Sequence, residues 1–278
     1  MVRRDRAVPR PHRGWIAKAQ DNVGRSRSSR EIEAVGSGIR DLRPGDEVFG
    51  TGIGSWAEYA TAREDRLAPK PATVSFEEAA AVPVAAVTAL QALRDNGNVE
   101  AGQRVLINGA SGGVGTYAVQ LAKWFGADVT AVCSTNNVEL ARSLGADRVV
   151  NYTQEDFTKL DERHDLMLDI AGSRSFLDYR RVLTPDATVV LVGGRMTYRG
   201  FGPLPHMGGT ILKSKGRSQR VKFFTAKVGK EDLGLLSKLL EAGTVRSIID
   251  RRYDLGQARE ALAYLGEGHA RGKVVITP

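Results

Sequence analysis

The chain has 278 residues, 42% of them hydrophobic and 26% charged, an ordinary globular composition with room for one large or two modest domains. No apolar run approaches bilayer length and no apolar signal core opens the chain, so neither a membrane anchor nor secretion is expected and the cytoplasm is the default location. The net charge of +8 hints at nucleic acid, but residues 1–30 carry eight arginines and one lysine against two aspartates, and the other 248 residues hold 31 basic and 30 acidic groups. A basic arm would therefore have to act alone, and no nucleic-acid partner is expected of the nearly neutral body.

Residues 1–30 show neither strand alternation nor a helical apolar stripe, and Pro9 and Pro11 interrupt any helix. Arg-rich, acid-poor ends of this kind serve as transit peptides or basic arms. The reading adopted here is a basic leader that is disordered or not native. The texture changes at Glu31. "EIEAVGSGIRDLRPGDEVFG" and "SWAEYATAREDRLAPKP" are short β-type runs broken by Gly and Pro-Gly turns, as in a small barrel. "SFEEAAAVPVAAVTALQALRD" then reads as helix, with Ser75 as its N-cap.

From Gln103 the pattern changes. Apolar runs at Val105–Ile107, Val129–Cys133, Arg148–Val150, Leu166–Ile170 and Thr188–Val192 alternate with helical stretches at Gly113–Phe125, Val138–Leu144, Thr153–Leu160 and Ser175–Leu183. Continuous apolar strands separated by helices predict a doubly wound parallel sheet, an α/β fold. The pattern loosens through 195–220. A helix near Lys230–Glu241, a strand near Val245–Ile249, a helix near Gln257–Leu265 and a strand at Lys273–Ile276 close the chain.

The stretch "NGASGGVG", Asn108 to Gly115, lies between a predicted strand and a predicted helix. Ala110, Gly112 and Gly115 occupy the three small positions of a relaxed dinucleotide fingerprint. A small first residue turns the chain tightly, Gly112 lets backbone approach a pyrophosphate, and Gly115 lets the helix pack on the strand. The helix N-terminus offers free N–H groups to the phosphates. An NAD site usually places an acid at the end of the second strand. Here that place reads Val132–Asn137, "VCSTNN", with no acid, and Ser134 and Thr135 can face a 2′-phosphate without repulsion. NADP(H) is therefore the expected cofactor, unless this turn makes no ribose contact. Glu139 lies further on, at a helix start where acids are common.

Cys133 is the only cysteine, so no disulfide can form within the chain and no Cys-rich zinc site can be built. His12, His164, His206 and His269 are scattered and show no zinc-ligand spacing, so no metal is expected.

The segments "EAVGSGIRDLRPGDEVFG", "AEYA", "AAAVPVAAVTALQAL", "GQRVLINGASGGVGTYAVQLAK", "LGADRVVNY" and "GHARGKVVI" together resemble the medium-chain dehydrogenase/reductase superfamily, over residues 31–278. They are most similar to its zinc-independent quinone-oxidoreductase-like members, in the reticulon-interacting oxidoreductase-like branch. The resemblance implies a Rossmann lobe over 96–224 and a partial GroES-like β-barrel lobe over 31–95 and 225–278, with NADPH between them. It implies hydride transfer to a quinone, enone or other carbonyl, and a homodimer built through the Rossmann sheet. By the same resemblance the phosphate turn is Ala110, Ser111, Gly112, Gly113, Val114 and Gly115, while Ser134, Thr135 and Tyr152 flank the 2′-phosphate. Leu191, Val192, Gly193 and Gly194 would pass the nicotinamide, and His269, Ala270 and Arg271 would return to the cofactor from the C-terminal end. Arg271 suits phosphate because its fork matches two oxygens. No residue is assigned a catalytic role; by the resemblance, Trp56 and Thr88 are what remains near the half-walled pocket.

The resemblance stops at Arg30/Glu31, where family members carry further barrel strands and an Asn-Pro loop. The expectation is a frameshifted or wrongly started reading frame, with open barrel edges as its consequence. The alternative reading of the whole is a truncated, non-catalytic NADPH-binding protein.

Overall fold

The structure, a computed structural model, describes residues 16–21, 28–55, 57–193, 211 and 218–278. Four antiparallel strands, β1 (Ile16–Asp21), β2 (Ser28–Ala34), β3 (Glu47–Ile53) and β4 (Tyr59–Pro69), form a closed barrel around Ile32, Leu42, Val48 and Leu67. Two expectations change here. The basic leader contributes β1, which pairs with both β2 and β4, and the seam at Arg30/Glu31 falls inside β2. The barrel is consequently closed rather than open-edged. The segment "IAKAQD" has no apolar alternation to announce a strand, and the unpaired edges of β2 and β4 supply the backbone partners that its side chains do not signal.

Two short helices, α1 (Phe76–Ala81) and α2 (Ala85–Gln91), follow the barrel. The predicted cap is present as a reciprocal pair. Ser75 Oγ accepts the Glu78 N–H at 3.2 Å, and Glu78 Oε2 accepts the Ser75 N–H at 2.9 Å. A π turn over Ala92–Gly97 ends at Asn98 in the left-handed region, φ 48°.

Six parallel strands then form one sheet: β5 (Arg104–Asn108), β6 (Asp128–Cys133), β7 (Arg148–Asn151), β8 (His164–Asp169), β9 (Leu183–Leu191) and β10 (Arg220–Phe223). Their order is β10-β9-β8-β5-β6-β7, so the direction of winding reverses between β5 and β8. Ligands of open α/β sheets bind outside the carboxyl ends of the strands at such a reversal. The five predicted strands are all present, and β10 adds a sixth, unpredicted, starting where the loosely patterned stretch ends.

One face of the sheet packs on α2, α3 (Gly115–Trp124) and α6 (Lys230–Glu241) through Leu90, Tyr117, Leu121, Leu233 and Leu236. The other packs on Phe157, Phe176, Tyr179 and Val182, of which Phe176 and Tyr179 belong to α5 (Phe176–Tyr179). The helix α4 (Val138–Ser143) bridges β6 and β7. Instead of the helix expected over Thr153–Leu160 there is one 3-10 turn, Phe157–Lys159, because Asp156 takes both the N–H and the hydroxyl of Thr158. The C-terminal strands β11 (Ile249–Asp254) and β12 (Lys273–Thr277) pair in parallel, joined through α7 (Ala258–Gly266). β11 begins where the strand expected at Val245–Ile249 was to end. The Gln120 side chain accepts the Arg246 N–H at 2.9 Å and donates to its carbonyl at 3.0 Å, which replaces strand pairing there.

Candidate functional site

The glycine turn sits at the sheet's winding reversal. Gly109 leaves β5 with φ 94°, and the Gly109 and Ala110 N–H groups donate to the Val132 carbonyl at 3.2 and 3.1 Å. This docks the turn on the end of β6. The helix α3 starts at Gly115 with no side-chain cap; the Gly113 N–H faces the Gly272 carbonyl in a parallel bridge, and the N–H groups of Val114 and Gly115 have no partner among the described residues. These are the orphan donors of a helix N-terminus, which carry its positive dipole end.

The three glycines of the turn do different things. A Cβ on Gly115 would strike the Gly109 carbonyl and stand 2.7 Å from the Ala110 backbone, so this glycine serves helix–strand packing. A Cβ on Gly112 would meet only the Gly109 oxygen at 3.6 Å, an ordinary contact, so nothing in the protein requires its absence. That open cradle fits the close approach of a phosphate to backbone. A Cβ on Gly113 would stand 2.9 Å from Lys273 Cδ and 3.1 Å from its Nζ.

The C-terminal segment does return to the turn. The Gly272 N–H donates to the Ser111 carbonyl at 2.9 Å, and Gly112 and Gly272 form an isolated parallel bridge. His269 and Arg271 are exposed and Ala270 is half-buried. They reach the turn through the backbone next to Gly272. No described side-chain bond ties His269 or Arg271 to the turn itself. The Arg271 N–H donates instead to Asp250 Oδ2 at 2.9 Å, which also accepts the Tyr264 hydroxyl at 2.5 Å. Lys273 is the basic side chain that the structure sets against the turn. A lone lysine two residues past the family-like "HAR" gives no sequence signal of this, since the contact depends on the chain's return.

Ser134 and Thr135 follow directly on the end of β6, and Tyr152 lies beside that end. The Tyr152 N–H donates to the Cys133 carbonyl at 3.0 Å, and the Tyr152 ring is 53% exposed. Asn137 Nδ2 donates to Ser134 Oγ at 2.9 Å. Glu139 turns to Arg142, at 2.6 Å, and brings no carboxylate to Ser134. Cys133 is buried within β6, and burial pushes its thiol up. Among the described residues no three His, Cys, Asp or Glu side chains gather as metal ligands.

Leu191, Val192 and Gly193 lie at the end of β9, beside the end of β8, where the Val192 and Gly193 N–H groups donate to the Asp169 carbonyl at 2.9 and 3.3 Å. Gly194 and Trp56 lie outside the described residues. Thr88 sits in α2 and bonds to the Val84 carbonyl at 2.6 Å, an i−4 contact within the helix.

Sequence reasoning passed over a buried network beneath the turn. The Asp169 carboxylate is fully buried and accepts Asn108 Nδ2 at 2.8 Å, the Gly172 N–H at 2.9 Å and the Tyr179 hydroxyl at 2.9 Å. Burial, and then the Asp169 charge, push the Tyr179 phenol well above its ordinary value. The network fastens the ends of β5 and β8 together directly below the winding reversal. The only advance signal was a polar residue ending each of two otherwise apolar strands.

The zinc-binding dehydrogenase family matches residues 144–276. The 2-methylene-furan-3-one reductase of Solanum lycopersicum is 35% identical over 261 residues, covering 89% of this chain, and the chain spans 61% of that protein's length. The mitochondrial NAD(P)H oxidoreductase RTN4IP1 of Danio rerio is 33% identical over 273 residues, covering 90% of this chain and 70% of the relative. Among solved structures, the quinone oxidoreductase from Coxiella burnetii is 26% identical with a TM-score of 0.84, covering 98% of this chain and 93% of the other. A Rossmann sheet with a GroES-like barrel, the glycine turn at the winding reversal and these matches together show that the chain belongs to the medium-chain dehydrogenase/reductase superfamily, in the quinone-oxidoreductase-like branch.

Proposed function

We propose that the chain is an NADPH-dependent oxidoreductase, working without zinc, that passes hydride to a quinone, enone or other carbonyl compound. The observation that carries this reading is the glycine turn at the winding reversal, open at Gly112 and closed over by the C-terminal return at Gly272. The residues fit the dinucleotide. The α3 amides, Gly112 and Lys273 would hold the pyrophosphate, and Ser134, Thr135 and Tyr152 would border the 2′-phosphate. Ala110 and Gly115 would shape the turn between them, and Leu191–Gly194 would line the nicotinamide end. His269, Ala270 and Arg271 would flank the cofactor on the C-terminal side. Bound there, the nicotinamide supplies the hydride. The chain's own part is to hold the reactive ring in one orientation beside the acceptor and to keep water out.

The absence of an acid at Ser134–Asn137 favours NADPH over NADH, and the relatives with NAD(P)H in their names agree with a nicotinamide cofactor. The zinc-free reading is supported by the position of the sole cysteine, buried within β6. The division into a barrel lobe, expected over 31–95 and 225–278 and extended here back to β1, and a dinucleotide lobe of 96–224 follows the same family reading. A homodimer across the sheet is supported by the β10 edge, where Phe223 is 52% exposed. No helix among the described residues is long and apolar enough to cross a membrane, in keeping with action in the cytoplasm on small molecules.

The test is NADPH oxidation by the purified chain against a panel of quinones and enones, with binding followed by nicotinamide fluorescence. Binding with turnover establishes the enzyme. Binding without turnover establishes the second reading, a non-catalytic NADPH-binding protein. No binding refutes both.

A further inference from the structure

We infer that Asn137 sets the preference for a phosphorylated ribose, by fixing the direction in which the Ser134 hydroxyl points. The inference rests on the dinucleotide reading above and deepens it. Ser134 stands at the N-cap of the 3-10 turn Thr135–Asn137, where a serine oxygen ordinarily accepts a backbone N–H of the turn. It makes no such cap here. Its Oγ receives the Asn137 side-chain amide instead, at 2.9 Å.

Asn137 is 8% exposed, and its Oδ1 has no hydrogen-bond partner. The amide turns its Nδ2 to Ser134 Oγ, and an NH2 group can only donate along that contact. Asn137 therefore donates and Ser134 Oγ accepts. The Ser134 hydrogen points away from Asn137 and finds no acceptor among the described residues, so it is free to donate to a ligand.

The neighbouring hydroxyl is already committed. Thr153 Oγ1 donates to Asn151 Oδ1 at 2.8 Å, and Asn151 Nδ2 donates to Thr135 Oγ1 at 2.9 Å. The 2.8 Å contact between Thr135 and Thr153 then uses the Thr135 hydrogen, because the Thr153 hydrogen is spent on Asn151. The ring of three side chains closes on itself. Of the two hydroxyls at the end of β6, only Ser134 offers a donor.

A phosphate dianion can only accept, and a donor aimed at it makes a charge-assisted bond. A ribose hydroxyl gains only a neutral one. Asn137 is thus a positioning residue for cofactor choice, and its signature is the ratio of NADPH to NADH affinity rather than either affinity alone. The experiment measures both dissociation constants by fluorescence on the full chain. Ser134→Ala should weaken NADPH about tenfold and NADH little. Asn137→Asp puts an acceptor and a negative charge where the amide was. It should weaken NADPH about a hundredfold relative to NADH. Asn137→Ala, which adds no buried charge, should lower the ratio by about threefold and serves if the aspartate variant fails to fold. Thr135→Val should move the ratio clearly less than Ser134→Ala does.

Parallel losses of NADPH and NADH in the Ser134 and Asn137 variants would overturn the inference. So would a Thr135 variant that moves the ratio as far as Ser134→Ala. A wild-type chain that binds neither dinucleotide would overturn the cofactor site itself, a different and recognisable failure.

Discussion

The Lys273 side chain lies across Gly113, with Cδ and Nζ standing 2.9 and 3.1 Å from the place a Gly113 Cβ would occupy. The Gly272 carbonyl stands 3.2 Å from the same place, so side chain and returning backbone both crowd it. Gly113→Ala should cost no more than about 1 kcal/mol, because the lysine end is flexible and can swing aside. In a Lys273→Ala background the same change should cost less, the carbonyl contact remaining, and urea denaturation of the four proteins gives the coupling. Lys273→Ala by itself should weaken NADPH and NADH alike, by about tenfold, as expected for a pyrophosphate partner.

Gly112 and Gly115 should part company when each becomes alanine. Gly115→Ala drives a methyl into the Gly109 carbonyl and the Ala110 backbone, neither of which can swing aside. A loss of about 2–4 kcal/mol is expected. Gly112→Ala meets only an ordinary contact and should stay within about 0.5 kcal/mol of wild type. It should nevertheless lose NADPH binding by at least about tenfold, since the methyl fills the phosphate cradle. Thermal melting without ligand, beside NADPH titration, separates the two effects. Equal behaviour of both variants would contradict the division of labour in the turn.

Tyr179→Phe removes one of the donors to the buried Asp169 carboxylate and should cost about 1–3 kcal/mol. Asp169→Ala leaves Asn108 Nδ2, the Gly172 N–H and the Tyr179 hydroxyl short of their acceptor and should cost more. The double variant should be clearly less than additive, because the two residues share one network. Additive losses in denaturant titration would show that the contacts act independently.

His164 is fully buried at the start of β8. Its Nδ1 meets the Val182 carbonyl at 3.0 Å and its Nε2 has no partner. Burial, the largest influence, lowers its pKa from 6.5. The unfolded chain therefore binds the proton more readily than the folded one. The stability contribution is complete above the unfolded value and is lost as pH falls through it, with a limiting slope of about 1.4 kcal/mol per pH unit. Asp147 is held low by Lys123 and the Val129 N–H despite partial burial, and its contribution fades only near its own ordinary value of 3.8. Unfolding free energies between about pH 7 and pH 5 should thus fall in the wild type and stay flatter in His164→Gln. Equal slopes would remove His164 as the cause.

Sequence alone showed the middle of this fold better than its margins. Val105–Ile107 and Val129–Cys133 announce central strands because both faces of such strands are buried and all their residues but Thr130 are apolar. "RVKF" at β10 and "IAKAQD" at β1 lack that continuity, and neighbouring backbone places them. The glycine turn was readable because strand, turn and helix are local. The partners that complete it were not. Lys273 meets Gly113, and Asn108 meets Asp169, only after distant strand ends have been brought side by side. Asn137 escaped notice for another reason: its role lies in the direction of one hydrogen bond, and residue type does not encode direction.

The bridge between Gly112 and Gly272 has a consequence for synthesis. The turn leaves the ribosome well before the segment that closes over it. A nascent chain halted before residue 269 can hold its central sheet and still lack the wall that finishes the pocket. The order of translation would therefore keep a dinucleotide from being gripped until Gly272 has been made, so that a bound coenzyme would stabilise chains that have reached that point in preference to shorter ones.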